Sequence, residues 1–73
     1  MDTNVATACI DLCLRHMQED LEGAAAIAKA ANACAEAGNP KKAIEIALDI
    51  EQLINEAETL LNAASLLNRI MNS

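Results

Sequence analysis

The chain has 73 residues, five Lys and Arg against eleven Asp and Glu, a formal charge of −6 and no aromatic residue. That length allows one small domain, and a lone core of this size rarely supplies more than ~3–5 kcal/mol. No basic stripe or aromatic platform is on offer to nucleic acid, and an acidic, Lys-poor helix suits anionic membranes badly.

Hydrophobic residues make up 53% of the chain, so its apolar surface is aliphatic, Ala-rich and large for so short a sequence. A second chain is expected to cover part of it. No targeting or spanning segment is visible. Residues 5–14 are mostly apolar, but Asp11 interrupts them and no basic region precedes them. The longest uncharged run, residues 59–68, falls short of the ~20 residues that a bilayer requires. Cysteines are three, an odd number, and Cys9 and Cys13 lie one helical turn apart. That spacing disfavours a mutual disulfide, and a reducing, cytoplasmic setting is expected.

In chain order, Asp2, Thr3 and Asn4 offer an N-cap. A first helix is expected over about residues 4–37. Its central row is Ile10, Met17, Ala24 and Ala31, which repeats every seven residues. Leu14, Leu21, Ala28 and Ala35 flank that row on one side; Cys13, Ile27 and Cys34 flank it on the other, with Asp20 breaking the line. Arg15, Glu19, Glu22, Lys29 and Glu36 form the opposite, solvated face. Gly23 lies inside this helix and weakens it by roughly 1 kcal/mol relative to Ala.

The punctuation is concentrated at Gly38-Asn39-Pro40. Glycine suits the left-handed residue that closes a helix. Asparagine caps the next helix, and proline suits its first position. The turn is therefore placed at 38–39, and an uninterrupted second helix at about 40–72. Its central row is Ala43, Ile50, Ala57, Ala64 and Met71, with Ile46, Leu53, Leu60 and Leu67 on one side and Ala47, Ile54 and Leu61 on the other. Lys41, Glu45, Gln52, Asn55, Thr59, Asn62 and Arg69 face outward. A wide apolar stripe with a seven-residue repeat marks a bundle or coiled-coil helix. So short a turn makes the helices antiparallel neighbours. Alanines between residues 24 and 37 permit close approach, and Ile44, Ile46, Ile50 and Leu53 are expected to fill the space opposite them.

The fold class expected is all-α: one domain, residues 1–73, an antiparallel two-helix hairpin that completes a four-helix bundle or packs on a helical partner. At its open end both helices are apolar almost all round, as only buried helices are. Leu12, Leu48 and Leu66 point away from the intramolecular face. Together with Val5, Cys9 and Ile70 they are the expected partner-binding residues.

Cys9, Cys13, His16 and Asp20 fall on one edge of the first helix. Thiolates with an imidazole could hold Cu(I) or Zn(II). The stretch Ala8-Cys9-Ile10-Asp11 with Cys13 resembles, over those few residues, the cysteine-rich copper-storage four-helix bundles. Those bundles carry many more such cysteine pairs, and small core cysteines are common. Cys9 and Cys13 are therefore expected to be packing residues, His16 an interface residue, and the chain to carry no metal or other cofactor. One histidine, no Gly-rich phosphate loop and no strand pattern leave nothing to assemble into a catalytic site, so no enzyme is expected.

Residues 28–57 resemble a tetratricopeptide repeat, with Ala31, Gly38 and Ala43 at its small positions. Cys34 and Ala47 stand at its aromatic positions, and Asn55 at its closing proline. The whole hairpin is similar to the small co-chaperones of type III secretion needle subunits. The features shared are the turn Gly38-Asn39-Pro40 and the stretch Ile54-Asn55-Glu56-Ala57-Glu58-Thr59-Leu60-Leu61-Asn62. The resemblance implies a two-helix protein that partners a tetratricopeptide chaperone and shields the needle subunit from premature assembly. The function expected is therefore that of a non-catalytic protein–protein interaction module. It would act as a small chaperone or adaptor, or as the subunit of an oligomeric bundle, with a homodimer mate or a helical chaperone as partner. The alternatives are a Cu/Zn-binding bundle using Cys9, Cys13 and His16, and a structural subunit of a helical filament.

Overall fold

A computed structural model describes residues 2–72 and contains helices and turns, with no strand among the described residues. Helix α1 spans Thr3–Glu36, α2 spans Pro40–Ala47 and α3 spans Ile50–Met71. α1 packs along both α2 and α3, so the fold is a helical hairpin whose second arm is bent. The molecule is a rod of 54 × 13 × 11 Å, the length that a 34-residue helix dictates at 1.5 Å per residue.

The ends of the elements follow from single residues. The Asp2 carboxylate accepts a hydrogen bond from the backbone N–H of Asn4 at 2.8 Å and so opens α1. At its other end the N–H of Gly38 donates to the Ala35 carbonyl at 3.0 Å, and that of Asn39 to the Cys34 carbonyl at 3.1 Å. This pair of bonds is the Schellman closure, which needs a left-handed residue after the cap; Gly38 supplies it with φ of 91°. The Cys34 thiol adds a bond to the Asn39 carbonyl at 3.6 Å. Asn39 then caps α2 through its side chain, accepting from the Lys42 N–H at 3.2 Å, and Pro40 occupies the first turn. The expected turn is thus present residue by residue.

The second arm departs from the expected uninterrupted helix. Between Ala47 and Ile50 the chain tightens: Asp49 donates back to Ile46 at 3.2 Å and Glu51 to Leu48 at 3.3 Å, both i→i−3 bonds. Leu48 and Asp49 keep right-handed helical dihedrals, so the arm bends without unwinding. Such a 3₁₀ step turns more per residue than an α step. A straight α-helix drifts ~20° per seven residues from a strict heptad row, and one tightened step restores about that angle.

The six fully buried residues among those described are all alanines: Ala6, Ala24, Ala31, Ala43, Ala57 and Ala64. Half-buried residues fill the spacing between them. In α1 these include Ile10, Cys13, Met17, Asp20, Ile27 and Cys34; in the second arm Ile46, Ile50, Leu53, Leu60, Leu67 and Met71. The seam therefore alternates steps of three and four residues along both arms, the a/d pattern of a heptad. Two contacts set its register. The Leu53 Cδ1 methyl lies 3.3 Å from where a Cβ on Gly23 would stand, and the Thr7 hydroxyl points at the Met71 sulfur at 3.8 Å. This register sets Ala24 level with Leu53, Ala31 level with Ile46, and Met17 level with Leu60, so the seam mixes layers of large against small with layers of two large residues.

Two expectations about the seam are corrected by it. The row Leu14, Leu21, Ala28 and Ala35 lies outside, exposed, while the row Cys13, Asp20, Ile27 and Cys34 enters, Asp20 included. Ile44, expected to fill the space opposite the alanines, stands in solvent at 62% exposure. The reason is close approach: small residues at Cys13, Asp20 and Cys34 let the arms come nearer than a leucine row would.

Candidate functional site

No cavity is present among the described residues, so any site on this rod is a surface. Its character is set by what the seam cannot cover. Two helices bury one stripe each, yet both arms are apolar over more than a stripe. Val5, Leu12, Leu14, Leu21, Ile44, Leu48, Ile54, Leu61, Leu66 and Ile70 all keep 43% or more of their surface in solvent, and no large side chain among the described residues is fully buried.

The total surface gives the same result as a magnitude. A compact monomer of 7.7 kDa exposes about 4,300 Å² by the area–mass relation of folded proteins. This chain exposes 5206 Å². The excess, roughly 900 Å², is what a rod of 54 × 13 × 11 Å adds over a compact shape, and much of the surface so exposed is aliphatic.

The exposed aliphatics are distributed unevenly around the rod. In an antiparallel pair the same heptad position of both arms falls on the same edge of the seam. The residues four after each central-row residue are Leu14, Leu21, Ala28 and Ala35 on α1, and Ala47, Ile54 and Leu61 on the second arm. They line one edge over most of the rod. The opposite edge carries large aliphatic residues toward the open end, where Val5, Cys9 and Leu12 of α1 lie on the same side as Leu66 and Ile70 of α3. Farther along, that edge carries Glu19, Glu45, Asp49 and Glu56. Five of the six expected partner residues thus share one edge of the open end. Leu48 does not join them: it sits at the bend in the second arm, on the outer ridge, at 62% exposure. The long edge of Leu14, Leu21, Ile54 and Leu61 is the surface that sequence reasoning assigned to the core. The signal that could have found it is the strict three–four alternation, which admits only one of two equally apolar flanking rows to the seam.

Along the cysteine–histidine edge the side chains are not gathered into one cluster among the described residues. Cys9 and Cys13 are half-buried free thiols, and His16 is exposed and paired with Glu19 at 3.5 Å. No group of three or more His, Cys, Asp or Glu stands close enough to hold an ion among the described residues. Asp20 carries the one buried polar side-chain atom without a hydrogen-bond partner among the described residues, its Oδ2. Its place in the seam, level with Ala57, accounts for that. No helix among the described residues is long and apolar enough to cross a membrane.

No protein-family model, curated protein or solved structure matches the chain.

Proposed function

We propose that this chain is a non-catalytic protein–protein interaction module, a helical hairpin whose free aliphatic edges are covered by helices of another polypeptide. The observation that carries this is a seam that fully buries only alanines beside ten large aliphatic side chains that keep 43% or more of their surface in solvent. Aliphatic side chains left in solvent beside a seam are the raw material of a helix-packing interface, with leucines and isoleucines as anchors and charged residues at the rim. Val5, Cys9, Leu12, Leu66 and Ile70 form the contact surface of the open end, and Leu48 a separate contact at the bend. A small chaperone or adaptor in the manner of the type III secretion co-chaperones is one role that such a module fills; the subunit of a four-helix bundle is another. Three free thiols suit a reducing, cytoplasmic setting.

Sedimentation velocity and circular dichroism of the isolated chain over a hundredfold range of concentration test this. Helix content and sedimentation coefficient that rise together with concentration, or that rise on addition of a co-purified host protein, are the expected result. A fully helical monomer at micromolar concentration with no concentration dependence, and with no partner co-purifying from the host, would overturn it.

A further inference from the structure

We propose that the long edge of the hairpin, built on Leu14, Leu21, Ile54 and Leu61, docks one amphipathic helix of another protein whose apolar stripe is bordered by Lys and Arg. The proposal rests on the helix-packing function above and adds the chemistry of the partner.

Leu14, Leu21, Ile54 and Leu61 are each 43–49% exposed, lower than the 62% of Ile44 and Leu48, because they stand beside the seam and not on its back. The register places Leu14 near Leu61 and Leu21 near Ile54 across the seam, with Ala28 and Ala47 continuing the line toward the turn. This makes a shallow trough between two helices, the seat a third helix takes in a bundle. The stretch from Leu14 to Ala28 runs about 21 Å at 1.5 Å per residue, room for roughly four turns of one docked helix.

Charge selects the occupant. Beyond the trough, the next residues out on this side are Asp11, Gln18, Ala25 and Asn32 on α1, and Ile44, Glu51, Glu58 and Ser65 on the second arm, all exposed. Every one of the five cations lies elsewhere: Arg15, Lys29, Lys41 and Arg69 on the outer ridges, and Lys42 on the opposite edge, 3.6 Å from Glu45. The border of the trough is thus acidic or neutral without exception. A second copy docked through the same trough would bring Asp11, Glu51 and Glu58 toward the same residues of its mate with no cation between them, and like charges at a rim select against a partner. A helix edged with Lys or Arg meets those carboxylates at the border while its leucines fill the trough.

Two synthetic helical peptides of identical Leu/Ala stripe, one edged with Lys and one with Glu, serve as probes, titrated by calorimetry into the full chain. The Lys-edged peptide is expected to bind at least ~10-fold tighter than the Glu-edged one and to weaken with added NaCl. Leu21→Asp is expected to reduce its affinity ~10-fold or more. The pair Glu51→Gln with Glu58→Gln is expected to reduce it about fivefold, two rim charge pairs at the usual strength of exposed pairs. The pair Glu45→Gln with Glu56→Gln, an equal charge change on the other edge, should alter it less than twofold. Amide chemical-shift changes on the unmodified chain, which do not depend on any variant folding, should cluster at residues 14–28 and 47–61. Equal affinity for both peptides, or equal losses from the two glutamine pairs, would overturn the proposal by showing that net charge alone attracts the peptide. A dimer that Leu21→Asp dissociates and that the Lys-edged peptide does not displace would also overturn it, making a second copy the occupant while leaving the helix-packing function intact. A folded monomer that binds neither peptide and does not self-associate would remove both.

Discussion

Replacing Ala31 with Glu tests the architecture at its centre. Ala31 is 8% exposed and stands level with Ile46, where the two arms approach through a methyl group. A glutamate there must leave its carboxylate in the seam, with no cation in either seam row, or push the arms apart. An unpaired charge in a packed interior costs ~3–5 kcal/mol, which equals the whole stability that a core of this size supplies. Ala31→Glu is therefore expected to abolish the thermal transition or lower its midpoint by more than 10 °C, at 4–8 °C per kcal/mol for a domain of 60–100 residues. Lys29→Glu, on the outer ridge of the same turn, is expected to shift it within ~0.5 kcal/mol. Circular dichroism melts of the two variants at one protein concentration decide the matter. Equal midpoints would refute the assigned helix phase and with it every assignment of edge and seam.

Three further outcomes follow from particular contacts. Gly23→Ala is expected to stabilise by up to ~1 kcal/mol through helix propensity: the new methyl would meet only the Leu53 Cδ1 at 3.3 Å, the mobile end of a half-buried side chain. A lower melting midpoint, restored when Leu53→Ala is added, would show the seam too rigid to yield. Asp20→Ala is expected to stabilise by ~1–3 kcal/mol, because it removes a buried acceptor atom left without a partner and puts a small apolar residue against Ala57; chemical denaturation measures it, and a loss of stability would mean that Asp20 has an unrecognised role in the seam. Leu12→Arg and Leu66→Arg are expected to weaken assembly by several kcal/mol while the hairpin keeps its helicity, and Glu22→Arg and Gln52→Arg to leave assembly nearly intact. Sedimentation of the four variants checks this, and dissociation by the controls alone would move the interface off the open end.

The turn was legible in the sequence because each of its residues answers a separate backbone demand: Gly38 a positive φ, Asn39 an orphan N–H, Pro40 a first-turn position that needs no donor. The central rows were equally legible, since Ala24, Ala31, Ala43, Ala57 and Ala64 are all fully buried. What periodicity could not decide was which neighbour of a central row joins it. Leu14 and Leu21 are more hydrophobic than Cys13 and Asp20, so composition favours the wrong flank. Packing reverses the choice, because Cys13, Asp20 and Cys34 are small enough to let the arms approach where a leucine row would hold them apart. The bend at Leu48 and Asp49 left no signature either: the segment Ala47-Leu48-Asp49-Ile50 holds no Gly or Pro, the usual causes of a sharp kink. The surplus of aliphatic residues was legible too, but which edge carries it depends on which flanking row enters the seam.

The alanine seam and the uncovered edges belong to one physical design. Ordering a residue costs ~1–2 kcal/mol of backbone entropy, and a buried methyl group recovers less than that, at ~0.8 kcal/mol per CH₂. Alanine nevertheless has the highest helix propensity, so α1, with its run of alanines on both sides of Ala31, is already disposed to be helical where its packing is thin. The hairpin can thus hold its helical form loosely and draw the rest of its stability from what covers it. A partner that binds only the folded hairpin adds RT ln(1 + [L]/Kd), about 2.7 kcal/mol at a hundred times Kd, a sum comparable with the ~3–5 kcal/mol that a core of this length supplies alone. Substitutions on the free edges should therefore register in the melting of the complex and hardly at all in that of the isolated chain, whereas substitutions at Ala24, Ala31 or Ala57 should register in both.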